Sequence, residues 1–148
     1  SWGENGELLV GMTNRGWASR GTKPWGMQRL KWNGETPFEV ERMEATSDGF
    51  RITFTRPLNP ARAVEPTNYS MTSYTYKLHS PYGSPECDTQ MVPIELATVS
   101  ADHRVVTLRC GGLREGYVHE LHMRGLRDES KEPLLHDVAY YTLIERPE

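Results

Sequence analysis

Between Ser73 and Asp88 the chain reads SYTYKLHSPYGSPECD, which gathers three tyrosines, a histidine, a cysteine and two carboxylates in one stretch. These residue types suit saccharide recognition. Sugars present apolar ring faces edged by hydroxyls, so their sites pair flat, amphipathic aromatic rings with carboxylates, amides and guanidinium groups. Tyr82, set between Pro81 and Gly83, is the tyrosine least suited to a core, and His79, Glu86 and Asp88 stand beside it as polar partners. A second stretch, TNRGWASRGTKPW, adds Trp17, Trp25 and Arg20. These seven residues form the candidate carbohydrate-binding set. A plainer reading competes with it: Tyr74 and Tyr76 fill space between two sheets, and Trp17 and Trp25 fold back over them.

Other chemistry finds less support. His79, Glu86, Asp88, His119, His122 and His136 include potential metal ligands, but no HExxH and no EF-hand spacing occurs. His119 and His122 stand three apart in a strand-like segment and so point to opposite faces. A calcium ion held by Asp88, Glu86 and loop carbonyls is the one ion left open; otherwise no cofactor is expected. No GxSxG occurs, and the serines near His79 lie in turn-forming sequence. A nucleophile needs an adjacent base and a group to orient that base, and neither is evident. The expectation is a chain without catalysis of its own.

Cys87 and Cys110 form a candidate disulfide, the alternative being two buried free thiols. Closing that ~23-residue loop would add about 3 kcal/mol in the chain-entropy account. Pairing would imply an oxidising compartment, hence a secreted or periplasmic protein.

The elements that must hold these residues are strands. The 148 residues suffice for one domain, or one domain with an appendage, and 13 glycines with 10 prolines indicate many turns. Alternation of period two dominates, and no segment sustains a helical period. FRITFT places Phe50, Ile52 and Phe54 on one face, and VVTLRC aims Val106, Leu108 and Cys110 one way. In YSMTSYTYKLHS the apolar phase slips, which predicts a β-bulge or a crossing between sheets near Thr72–Ser73. AYYTLI is apolar at both parities, as in a strand covered on two sides. GELLVGM and GMQRLKW precede all of these as two further strands.

Charge divides the chain in the same place. Residues 1–32 hold all four tryptophans and five Lys/Arg against two acids, a net of +3, whereas the remainder nets −6. The expected organisation is a Trp-rich β-hairpin extension over residues 1–36 and a β-sandwich over 37–148. Neither part is basic enough for nucleic acid to be a leading partner. No apolar run reaches the ~18 residues of a membrane-spanning helix, so no membrane partner is expected. The start, Ser1-Trp2, reads as a piece excised or processed from something longer.

The segment IELATVSADHRVVTLRCGGLREGYVHELHMRGLRDESKEPLLHDVAYYTL resembles the second half of bacterial Ig-like or fibronectin-III-like modules. Tyr117 holds the place of their corner aromatic, and Lys131-Glu132 stands where they usually have Gly-Asn. DGFRITFTRPLNPARAVEPTNYSM resembles the first half. The resemblance covers residues ~38–145 and implies an all-β, Ig/fibronectin-III-like antiparallel sandwich. The whole chain also resembles the region that follows the β-propeller in secreted bacterial proteins related to glucose/sorbosone dehydrogenases. NGELLVGMTNRGWASRGTKPWGMQRLKW is similar to the end of a propeller blade there. Such propellers can bind pyrroloquinoline quinone and oxidise sugars, and this chain has no CxxCH for attached haem. The resemblance implies a non-catalytic accessory module of an exported sugar-oxidising or polysaccharide-processing protein, and the aromatic residues above give it a polysaccharide or oligosaccharide as the expected partner. The alternative is a structural spacer docked on a neighbouring β-propeller domain of the same protein.

Overall fold

The computed structural model describes residues 2–3, 6–13 and 23–148, in two compact units divided between Thr36 and Pro37. The first unit is an antiparallel ribbon of β1 (Leu8–Thr13) and β2 (Trp25–Leu30), with Leu8 opposite Leu30 and Thr13 opposite Trp25. Directly opposed residues share a face, so Trp25 and Met27 lie on one side and Met12 and Leu30 on the other. All four are exposed. Lys23 stands 5.4 Å over the Trp25 ring, and Arg29 pairs with Glu7 at 3.7 Å.

The second unit is a sandwich of eight strands: β3 (Val40–Thr46), β4 (Gly49–Phe54), β5 (Ser70–Tyr76), β6 (Glu86–Met91), β7 (Ile94–Val99), β8 (Val105–Cys110), β9 (Tyr117–His122) and β10 (Val138–Leu143). One sheet has the order β3-β4-β8-β7 and the other β10-β9-β5-β6, and every pairing is antiparallel. Lettered A to G with a C′ strand after C, these are the A-B-E-D and G-F-C-C′ sheets of an immunoglobulin-type sandwich. A four-residue helix, α1 (Pro60–Ala63), and a 3₁₀ turn (Pro66–Asn68) join β4 to β5. Asn59 caps α1 by accepting from the Arg62 amide, Pro60 opens it, and the Tyr69 hydroxyl donates to the Ala63 carbonyl at 2.7 Å.

The core follows from strand alternation. Phe50, Ile52 and Phe54 of β4 and Val106 and Leu108 of β8 are fully buried, and they pack with Met71, Leu121 and Leu143 from the other sheet. Each large apolar side chain so buried contributes roughly 1.5–3 kcal/mol. His119 is also fully buried, its ring 5.3 Å from that of Phe50. It lies two residues after Tyr117, where immunoglobulin domains place the second cysteine of their inter-sheet disulfide. An aromatic contact thus occupies the B–F position.

Two expectations are corrected, and the choice between a β-bulge and a crossing near Thr72–Ser73 falls to the bulge. Cys87 and Cys110 are both free. Register fixes Cys87 opposite Thr75 in β6, at the edge of one sheet, while Cys110 ends β8 in the other with its side chain in the core. The phase slip in β5 is no crossing between sheets. Pairing with β9 runs unbroken from Ser70 to Tyr74, and the extra residue lies in β6, where Asp88 and Thr89 oppose Tyr74 alone. Finally, β10 is an edge strand covered on one side only. Ala139, Tyr141 and Leu143 face the core, while Tyr140 is 60% exposed.

Candidate functional site

The outer face of the β10-β9-β5-β6 sheet carries the aromatic side chains that the core does not use. Register places Tyr140, Glu120, Thr72 and Met91 in one row across the four strands. Tyr74 and Tyr76 lie along β5 on the same side, with Glu86 opposite Tyr76. The Tyr74 and Tyr76 rings meet edge to face at 5.5 Å. Tyr74 is buried, whereas Tyr76 and Tyr140 are half-exposed and Met91 is 69% exposed. Aromatic residues outward on a sheet are expected to lie beneath something or to bind something.

Electrostatics ties these groups together. The Tyr74 phenol is raised well above its ordinary pKa, first by its hydrogen bond with Tyr76, then by burial and by the carboxylates of Glu86 and Glu120. It therefore stays protonated and uncharged. Glu120 accepts from, or shares a proton with, His122 Nε2 at 2.7 Å, and His122 Nδ1 is buried without a partner among the described residues. None of the four strands contains a lysine or arginine. The opposite sheet, by contrast, carries Arg42, Arg51 and Arg109.

A polar clasp closes one end of this sheet. Tyr117 donates to Asp88 Oδ2 at 2.7 Å, Gln90 donates to Oδ1 at 3.0 Å, and Arg114 Nη2 bonds Oδ2 as well. Arg114 also donates to the Asp88 carbonyl at 2.8 Å and to Ser73 Oγ at 3.3 Å, and its guanidinium stacks 3.5 Å over the Tyr117 ring. The Tyr117 and Gln90 bonds and the Arg114 charge hold the Asp88 carboxyl below its usual range. Behind the clasp, the Arg114 amide donates to His119 Nε2 at 3.4 Å. Burial is the main cause that lowers the His119 pKa and keeps it neutral.

The residues singled out from sequence divide accordingly. Trp17 and Arg20 lie outside the described residues, and Trp25 belongs to the ribbon unit. Tyr82 is fully exposed at a loop tip and His79 is half-buried, with Nδ1 lacking a partner among the described residues. Glu86 joins the tyrosine face. Asp88 does not, because its carboxylate is committed to Arg114, Tyr117 and Gln90, which leaves Glu86 alone of the two side chains considered for calcium. Among the described residues no three His, Cys, Asp or Glu side chains converge. Tyr140 and Glu120 lie outside the candidate carbohydrate-binding set. Their signal was the parity of β9 and β10, in which Val118, Glu120 and His122 alternate with the buried His119 and Leu121.

No protein-family model matches the chain, and no curated protein matches it. Solved structures do. The chain is similar to the N-terminal part of the bacterial S-layer protein SbsC, with a TM-score of 0.57 and 22% identity over 73% of this chain and 24% of that one. It is also similar to the S-layer protein rSbsC at TM-score 0.55 and 22% identity, and to domains 1-6 of the surface layer protein SbsC at TM-score 0.54 and 22% identity. In these two matches it covers 72% of its own length and 14% of theirs. The chain therefore spans a quarter or less of these neighbours. At this identity the likeness establishes the all-β sandwich and nothing further.

Proposed function

We propose that this chain is a non-catalytic accessory module of an exported protein, and that it binds carbohydrate through aromatic side chains on the outer face of its β10-β9-β5-β6 sheet. The observation that carries this reading is the exposure of Tyr76 and Tyr140 on a sheet face that also bears Glu86 and Glu120. Tyrosine rings offer an apolar surface for the C–H faces of a pyranose, and carboxylates accept from its hydroxyls. Export is in keeping with the fold neighbours, which are surface layer proteins. The parent would be a sugar-oxidising or polysaccharide-processing protein, as the resemblance of the N-terminal segment to a propeller blade suggests.

The test is an affinity-gel and glycan-array screen of the chain beside its Tyr76→Ala and Tyr140→Ala variants. Retardation by one class of polysaccharide, lost in a folded variant, supports the reading. No binding across plant, algal and microbial glycans overturns it.

A second reading rests on the ribbon. A two-stranded ribbon is marginal in water by itself, and this one exposes Trp25 at 68%, Met27 at 75% and Leu30 at 52%. Such a surface suits a spacer that docks on a neighbouring domain of the same protein, the β-propeller that the resemblance implies. Trp25→Ala would then weaken the domain contact and leave glycan retardation untouched.

A further inference from the structure

We propose that the tyrosine face selects amine-bearing glycans over acidic ones, an inference that rests on the carbohydrate reading and names the ligand class within it. The strands that build the face hold three carboxylates (Glu86, Asp88 and Glu120) and no lysine or arginine. Arg114 neutralises Asp88. The carboxylates left to a ligand are Glu86, opposite the half-exposed Tyr76, and Glu120, opposite the half-exposed Tyr140 and bonded on its far side to His122 Nε2 at 2.7 Å. A sugar chain lying across Tyr76 and Tyr140 thus has a carboxylate beside each ring, and the buried Tyr74 ring supports Tyr76 edge to face at 5.5 Å.

That combination suits a cation attached to an apolar ring. An ammonium group gains from both carboxylates and from the negative faces of the tyrosines. The pyranose that carries it covers Tyr76 or Tyr140 with its C–H surface. A uronic or sulfated sugar would place like charge against Glu86 and Glu120 with no basic side chain on these strands to answer it.

The experiment measures binding of three soluble probes to the whole chain by calorimetry at low salt, below the pKa of the amine: a β-1,4-glucosamine hexamer, its fully N-acetylated counterpart and an oligogalacturonate of similar length. The expected order is glucosamine first, by about tenfold over the acetylated form, since solvent-screened contacts of ammonium groups with Glu86 and Glu120 supply that much. The preference should vanish in Glu86→Gln/Glu120→Gln, while Tyr140→Ala should weaken both neutral and amine-bearing probes. Binding of oligogalacturonate as tightly as glucosamine, or a preference that survives both Glu→Gln changes, overturns the charge selection and leaves the glycan face standing. A hexalysine peptide that binds as well as the glucosamine hexamer also overturns it, since charge alone would then suffice. Failure of all three sugars, with folding intact, removes the carbohydrate reading and this inference together.

Discussion

Gly125 has no room for a methyl group. A Cβ placed there would lie 1.8 Å from Oδ1 of Asn68 and 2.8 Å from its Cβ, and the Asn68 amide is held by the Arg62 carbonyl at 2.8 Å. Gly125→Ala should therefore cost about 2 kcal/mol in urea unfolding, part of it recovered in Asn68→Ala/Gly125→Ala. Lys131 makes the opposite case. Its φ of 69° is a conformation that glycine adopts freely, and Lys131→Gly should raise stability by about 0.5 kcal/mol, read as a higher urea midpoint at unchanged slope. This mismatch was legible in the sequence, because Lys131 stands where similar modules usually have glycine. The Gly125 constraint was not, because the clashing partner comes from a distant turn. His119 gives a pH prediction. Its folded pKa lies below the ordinary 6.5, so its contribution is complete above that value and falls away as pH drops below it. Stability should decline by at most about 1.4 kcal/mol per pH unit from this group, and His119→Phe should flatten that slope in a series of urea titrations.

Strand periodicity delivered the inward half of each element and blurred the outward half. In β4 and β8 the alternation of FRITFT and VVTLRC is the alternation of burial, since one side packs in the core and the other meets water. In β5 the pattern misled. Tyr74 and Tyr76 look like core residues by type, but they belong to the outer face, where ring stacking and neighbouring carboxylates accommodate them. Hydrophobicity alone does not distinguish a ring buried between sheets from one laid across a sheet. The bulge shows a similar displacement: it was visible as a phase change in β5, but its extra residue lies in β6. Asp88, at φ 55°, is held there by the clasp with Arg114 and Tyr117. Arg114→Ala removes the bonds to both Asp88 and Ser73 and should cost about 2 kcal/mol, with the amides of β6 losing hydrogen-exchange protection before those of β9. The cysteines offer a chemical test of register. Cys110 is buried with its thiol pushed up to about 12, chiefly by burial, whereas Cys87 is half-buried at a sheet edge. In the native protein a thiol reagent should label Cys87 first and Cys110 only on unfolding, with two thiols titrated in denaturant without reductant.

At the scale of the molecule, the division at Thr36 and Pro37 coincides with a division of chromophores. All four tryptophans lie in residues 1–32, and all seven tyrosines lie from Tyr69 onward. Every residue of the main core cluster comes from Phe38 or later. The sandwich thus holds its core without help from the ribbon strands, and residues 37–148 should fold when produced alone, with a single cooperative transition in far-UV circular dichroism. Among the described residues, the ribbon has no such core of its own. Trp2, Trp25 and Trp32 are 76%, 68% and 70% exposed, so tryptophan emission, read in a Trp17→Phe variant, should be that of solvated indole. Heating should then move tyrosine signals and circular dichroism together, while tryptophan emission changes little at that midpoint. A tryptophan transition coincident with that of the sandwich would mean that the two units unfold as one. The same probe separates the two functional readings. A glycan bound on the β10-β9-β5-β6 face touches tyrosines and should leave tryptophan emission where it was. A domain docked on the ribbon buries Trp25 and should shift that emission to the blue, and Trp25→Ala should reduce the shift.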